Sequence, residues 1–147
     1  MISTNRIWHK EAISIADLNA FGKGNMCEHL GIEFTELGAN YLVAKMPVDH
    51  RTKQPFGLLH GGASVVLAES VASMASALVV DMEQASCVGI EINANHIRAM
   101  RTGYVFGKCT PLHLGATTHV WNIQITNDKN QLVCISRLTV SVLRKKN

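Results

Sequence analysis

Between residues 63 and 80 the chain carries only apolar residues, four serines and one charge, Glu69. An apolar run of that length, rich in Ala with a Met inside it, predicts a helix rather than a strand. At 1.5 Å per residue it makes a rod of roughly 27 Å. Upstream, SIADLNAFG from Ser14 predicts a short helix closed by Gly22, and Asn25 caps a second short turn, MCEHLG. Neither is long enough to organise a fold. Partial alternation of apolar and polar positions predicts strands over 32–37 and 41–47 about a Gly38-Ala39-Asn40 turn, followed by a loop over 48–59.

Beyond the long helix, residues 87–96, 104–112, 118–126 and 132–143 read as strands. Trp121, Ile123 and Ile125 alternate in the third of these, and an Asn-Asp-Lys-Asn turn precedes the fourth. Short connections predict that these four form an antiparallel meander. A helix apolar almost all round must be covered on nearly every side, so the expected class is α+β, a curved antiparallel sheet wrapped around one central helix. Whatever the sheet leaves bare needs a second subunit.

Length and composition sharpen that picture. At 147 residues one domain can hide roughly two-thirds of its unfolded surface, and no repeat, low-complexity tract or linker divides the chain. Charged residues make up 17% and apolar ones 47%, against about 25% charged in an ordinary soluble domain, so polar cover for a monomer is short and an oligomer is expected. A net charge of +3 is too mild for nucleic-acid binding and suits a small anionic ligand. Cys27, Cys87, Cys109 and Cys134 are scattered, without CxxC or zinc-finger spacing, and the N-terminus lacks an apolar leader. A reduced, cytoplasmic protein is the expectation. The run at 63–80 approaches membrane-span length, but Glu69, the serines and the missing aromatic belt argue against a span.

Candidate chemistry sits where loop becomes helix. The first N–H groups of a helix lack internal partners and carry the positive end of its dipole, so His60-Gly61-Gly62 can present a donor to a developing oxyanion, with glycine letting a carbonyl come close. A tight turn that simply needs glycine explains the same residues. Glu69 is a carboxylate in apolar surroundings, where an ionised group costs several kcal/mol unless it is compensated. Either it works, or Ser73 at i+4 satisfies it. Glu69 lies eight residues past Gly61, about 12 Å along the axis and some 80° round it. One helix cannot easily serve one carbonyl with both, so joint action implies Gly61 from one subunit and Glu69 from another. His9, His29, His50, His96, His113 and His119 form no HExxH or HxH, so metal is not expected and surface or core roles are. Arg98, Arg101 and Lys108 can pair with phosphates, and Arg144-Lys145-Lys146 reads as a solvated tail.

The segments RTKQPFGLLHGGASVVLAES, GIEINANHIR and PLHLG resemble those of hotdog-fold acyl-CoA thioesterases of the 4-hydroxybenzoyl-CoA thioesterase and PaaI-like group, over about 19–143. Within it, the likeness is greatest to the branch acting on 1,4-dihydroxy-2-naphthoyl-CoA in menaquinone synthesis, with a sister branch that proofreads enterobactin synthesis. The resemblance implies that Glu69 is nucleophile or base for water, that the Gly61 N–H is the oxyanion donor, that Gln54 orients the thioester, that His60 holds the loop, and that Ser73 positions water or the carboxylate. It also implies CoA contacts at Arg98, Arg101 and the turn containing Gly115, Thr117 and Thr118. No cofactor beyond the CoA of the substrate is implied. The implied assembly is a homotetramer, a dimer of dimers, with its site between subunits. Ala72 stands where close relatives often have Gly. The acyl group is left open among dihydroxynaphthoyl, another aromatic acyl, and an aryl group on a carrier protein. Other readings are a 3-hydroxyacyl-thioester dehydratase using His60 and Glu69, and a non-catalytic acyl-CoA-binding module.

Overall fold

The two short helices form where their caps predict. In α1 (Ile15–Phe21) the Asp17 N–H donates to Ser14 Oγ and the Ser14 N–H returns a bond to the Asp17 carboxylate, a reciprocal cap. These bonds hold the Asp17 carboxyl below its usual value. In α2 (Met26–Leu30) Asn25 Oδ1 accepts from the Cys27 N–H at 3.0 Å, and Gly31, at φ 70°, ends the helix in the left-handed region. The computed structural model describes residues 5–146. Strands β1 (Glu33–Leu37) and β2 (Leu42–Pro47) then form the expected hairpin. The long helix, α3 (Gly61–Val79), begins two residues before the apolar run because both glycines are helical.

Strands β3 (Ala85–His96), β4 (Tyr104–Leu114), β5 (Thr118–Asn127) and β6 (Leu132–Arg144) complete a six-stranded antiparallel sheet in the order β1-β2-β4-β5-β6-β3. This corrects the four-strand meander: only β4, β5 and β6 follow one another. The slot beside β4 is taken by β2, which pairs with it from Leu42↔Cys109 to Pro47↔Tyr104. β3 is therefore left to pair with β6 at the far edge, from Ala85↔Arg144 to His96↔Cys134.

Period-two alternation turns His119, Trp121, Ile123 and Ile125 of β5 and Ser136, Leu138, Val140 and Val142 of β6 to one face. α3 lies against that face and buries Leu67, Val71, Ala72, Ala75 and Leu78 there. At roughly 1.5–3 kcal/mol for a fully buried aliphatic side chain, this contact dominates the core. α3 is long and apolar enough to cross a membrane by length and composition, but half of it is buried inside the fold, as befits a core helix. The other half is a stripe of partly buried residues, Val65, Val66, Glu69, Ser70, Ser73 and Ala77, that the sheet covers only in part. Next to it the edge strand β3 exposes Val88 and Ile90.

One polar cluster interrupts the core. Trp121 Nε1 donates to Ser76 Oγ at 2.6 Å, and His119 Nδ1 lies 3.1 Å from the same hydroxyl. Burial lowers the His119 pKa, with His113 adding to the effect. Ser76→Ala strips both ring nitrogens of their partner inside the core, so we expect a loss of about 1–3 kcal/mol. Urea unfolding of the two proteins, compared at equal protein concentration, measures it.

Candidate active site

The loop that delivers the helix start is fixed from both sides. Arg51 holds Asp49 through a 2.7 Å ion pair, and this guanidinium brings the Asp49 carboxyl down to about 2. Thr52 is buried, and its hydroxyl donates to the Pro47 carbonyl at 2.7 Å. The Thr52 carbonyl then accepts from the His60 N–H at 2.8 Å, while the Leu59 N–H donates to Met100 O in the β3–β4 connection. Gln54 Oε1 accepts from the Phe56 N–H. That bond occupies the oxygen of the side-chain amide and leaves its NH₂ group as the free donor.

At the start of α3 the donors can be accounted for one by one. The Gly62 N–H donates to His60 Nδ1 at 2.8 Å, and the Ala63 and Ser64 N–H groups both donate to the His60 carbonyl. Among the described residues only the Gly61 N–H of this first turn has no protein acceptor. It opens on a cleft of about 310 Å³ lined by Gln54, Gly61, Ser64, His96 and Arg98. The tight-turn explanation of the glycine pair does not hold, because neither Gly61 nor Gly62 has a positive φ. A Cβ at Gly61 would sit 2.7 Å from Nε2 of the exposed His96, so a side chain there would push that ring aside.

Glu69 is partly buried rather than enclosed, on the bare stripe of α3. Ser73 shares that stripe but does not bond it, and among the described residues the carboxylate has no hydrogen-bond or ion-pair partner. Instead, Glu69 Oε1 lies against Gly89, where an added Cβ would be 2.7 Å away, beside the bulge at Gly89/Glu91. Ser73 lines a different groove, of about 270 Å³, with Phe21, Cys27, Phe34, Ser70 and Met74. Ser73 and Glu69 therefore point apart: Ser73 faces α1 and β1, Glu69 faces β3.

One chain gathers Gln54, His60, Gly61 and Arg98 at the N-terminal end of α3. Arg101 is exposed on the same β3–β4 connection. The turn with Gly115, Thr117 and Thr118 lies at the opposite end of the helix, where Gly115 lines a pocket with Val79 and Val80. Nineteen residues of helix separate the two groups by about 28 Å, so a single chain does not unite them. Two residues were missed from the sequence. Gly89 carried a usable signal, since glycine inside a strand marks a bulge or a close approach. His96 carried none, because its contact with Gly61 joins positions far apart along the chain.

Residues 56–134 match the sequence profile of the thioesterase superfamily. Over 137 residues the chain is 56% identical to 1,4-dihydroxy-2-naphthoyl-CoA hydrolase of Escherichia coli, covering 93% of this chain and 99% of that one. It is 50% identical over 137 residues to the proofreading thioesterase EntH of Cronobacter turicensis, covering 93% and 98%. A solved mutant thioesterase of Pseudomonas aeruginosa superposes with a TM-score of 0.92 at 50% identity, covering 95% of this chain and 99% of that one. A thioesterase of Haemophilus influenzae gives 0.90 at 46%, covering 94% and 95%.

His60 caps α3 through its ring, so His60→Ala frees the Gly62 N–H and should lower stability by about 1 kcal/mol. Chemical denaturation of the variant beside the parent checks this.

Proposed function

This chain belongs to the thioesterase superfamily, a thioester hydrolase of hotdog fold, and from that premise we propose that it hydrolyses aromatic acyl-CoA thioesters to free acid and CoA, with 1,4-dihydroxy-2-naphthoyl-CoA of menaquinone synthesis as the substrate. The observation that carries the chemistry is the unpartnered Gly61 N–H at the positive end of α3. A thioester oxygen placed there gains negative charge in the tetrahedral state, and one such donor is worth about 2.7–4 kcal/mol. Glu69 supplies the oxygen nucleophile, directly or through a water whose proton it takes. Collapse of the tetrahedral state breaks the C–S bond: on the water route the free acid forms at once and the leaving thiolate takes the proton held by Glu69, and on the direct route water then hydrolyses the acyl–Glu69 anhydride, restoring the carboxylate and supplying the proton for the thiol. His60 acts by holding the first turn, and Gln54 by directing its free NH₂ at the thioester.

The groove beside Ser73 supports the aromatic preference. It is apolar, of about 270 Å³, and flanked by Phe21, Phe34 and Met74. That suits a flat ring system better than a long alkyl chain. The 56% identity to the E. coli hydrolase supports the dihydroxynaphthoyl group, while the similarity to EntH keeps an aryl carrier protein as the competing donor.

The site is composite. Gly61 and Glu69 lie about 12 Å apart along one helix, and the bare stripe of α3 adjoins an edge strand with free backbone groups and exposed Val88 and Ile90. A second copy placed there covers the stripe and brings its own helix start to Glu69, giving a dimer that pairs again into a tetramer. The same arrangement lets Arg98 and Arg101 of one copy hold CoA phosphates with the Gly115, Thr117 and Thr118 turn of another. Four unpaired cysteines suit a cytoplasmic location. Burial pushes the Cys109 thiol up to about 12.

Two experiments test this. Thiol release is measured from a panel of aromatic and aliphatic acyl-CoAs and one aryl carrier protein, for the parent and Glu69→Gln. We expect fastest release from aromatic CoAs and a fall of about a hundredfold or more in the variant; equal release from both proteins, or an enoyl product, sinks the assignment. In the second, inactive Glu69→Gln and Gln54→Ala proteins are unfolded, mixed and refolded together. A composite site predicts recovery of about a quarter of parental activity, from mixed dimers with one intact site, whereas no recovery places both residues in one chain's site.

A further inference from the structure

His96 closes on the Gly61 donor from outside its own loop, and its position is set by the sheet. The residue ends β3 opposite Cys134, and the next two N–H groups, of Ile97 and Arg98, both donate to the Val133 carbonyl at 2.8 and 3.2 Å. The ring is thus carried on paired backbone rather than on a free loop. Its Nε2 lies 2.7 Å from where a Gly61 Cβ would be. Cα–Cβ bonds in a helix tilt toward the N-terminus, the direction in which the unpartnered N–H also points. Adding the ~2.5 Å between a residue's nitrogen and its Cβ puts Nε2 and the Gly61 nitrogen at most about 5 Å apart. A single oxygen can then stand within about 2.9 Å of both.

We propose that His96 is a catalytic residue: with its proton on Nε2, it is the second hydrogen-bond donor to the thioester oxygen, opposite the Gly61 N–H. This rests on the hydrolase reading above and adds to it a side-chain donor that the sequence did not single out. The role balances without proton transfer. As the nucleophile adds to the carbonyl carbon, the oxygen takes the electron pair and both N–H groups shorten their bonds to it. When the C–S bond breaks, the pair returns to the carbonyl and the imidazole is unchanged. The same placement accounts for glycine at position 61, where any side chain would displace the ring from the oxygen's neighbourhood.

The test reads the carbonyl itself. Benzoyl-CoA is bound to Glu69→Gln and to Glu69→Gln with His96→Ala, and its C=O stretch is recorded by infrared difference spectroscopy. The expected result is a lower frequency where His96 is present, together with a kcat about a hundredfold lower in His96→Ala than in the parent, KM within a few-fold, and partial recovery in His96→Gln, which keeps an N–H donor. An identical stretch in the two backgrounds overturns the proposal, whatever happens to kcat. The outcomes stay separable from those of the hydrolase reading: failure of the parent to release thiol from any acyl-CoA would remove that reading, while the stretch, recorded before the slowed Glu69→Gln background consumes the thioester, still decides whether His96 donates.

Discussion

A helix that is apolar on nearly every side cannot be covered by one curved sheet, and the rest of this protein is arranged around the part that stays bare. The sheet takes Leu67, Val71, Ala75 and Leu78 of α3 and the inward rows of β5 and β6. What it covers only in part is the stripe from Val65 to Ala77 that holds Glu69 and Ser73. Placing β3 at the far edge, beyond β6, sets a strand with one unpaired side along that stripe. The partly covered apolar surface and the Glu69 carboxylate therefore share one boundary.

The helix start is governed by a second constraint, the need to satisfy backbone donors. His60 takes the Gly62, Ala63 and Ser64 N–H groups through its ring and carbonyl, and among the described residues this leaves the Gly61 N–H as the one donor of the first turn without a protein acceptor. The loop that presents it is held by Thr52 and by the β3–β4 connection through Met100. The packing of His96 against Gly61 ties this end of α3 to β3, and the seat of Glu69 against Gly89 ties its middle to the same strand.

Much of this was legible in the residues alone. The helix, both caps at Ser14 and Asn25, the hairpin about Gly38, and the inward alternation of Trp121, Ile123 and Ile125 follow from local rules, because capping and periodicity are properties of neighbouring positions. His60, Gly61 and Glu69 stood out for the same reason, as did the conflict between Gly61 and Glu69 on one rod, whereas Gln54 was singled out only by the family resemblance. Two local expectations failed. The four-strand meander assumed that sequential strands pair, but β2 already held the place beside β4. The Ser73 bond assumed that an i+4 neighbour turns its side chain the same way, whereas Ser73 faces α1 and β1 and Glu69 faces β3.

The amino-acid sequence by itself determined the elements, the apolar helix that needs covering, and the placing of a glycine pair at its start and a lone carboxylate in its middle. Tertiary structure alone decided which donor is left free, that His96 stands beside it, that Glu69 rests on the Gly89 bulge, and that the Gly115 turn lies at the other end of α3 from Arg98. The physical reason is separation along the chain. A cap or a strand period is written in residues a few positions apart, but the contact of Gly61 with His96 is made by a sheet that pairs β3 with the last strand of the protein, and no local pattern records which strands will meet.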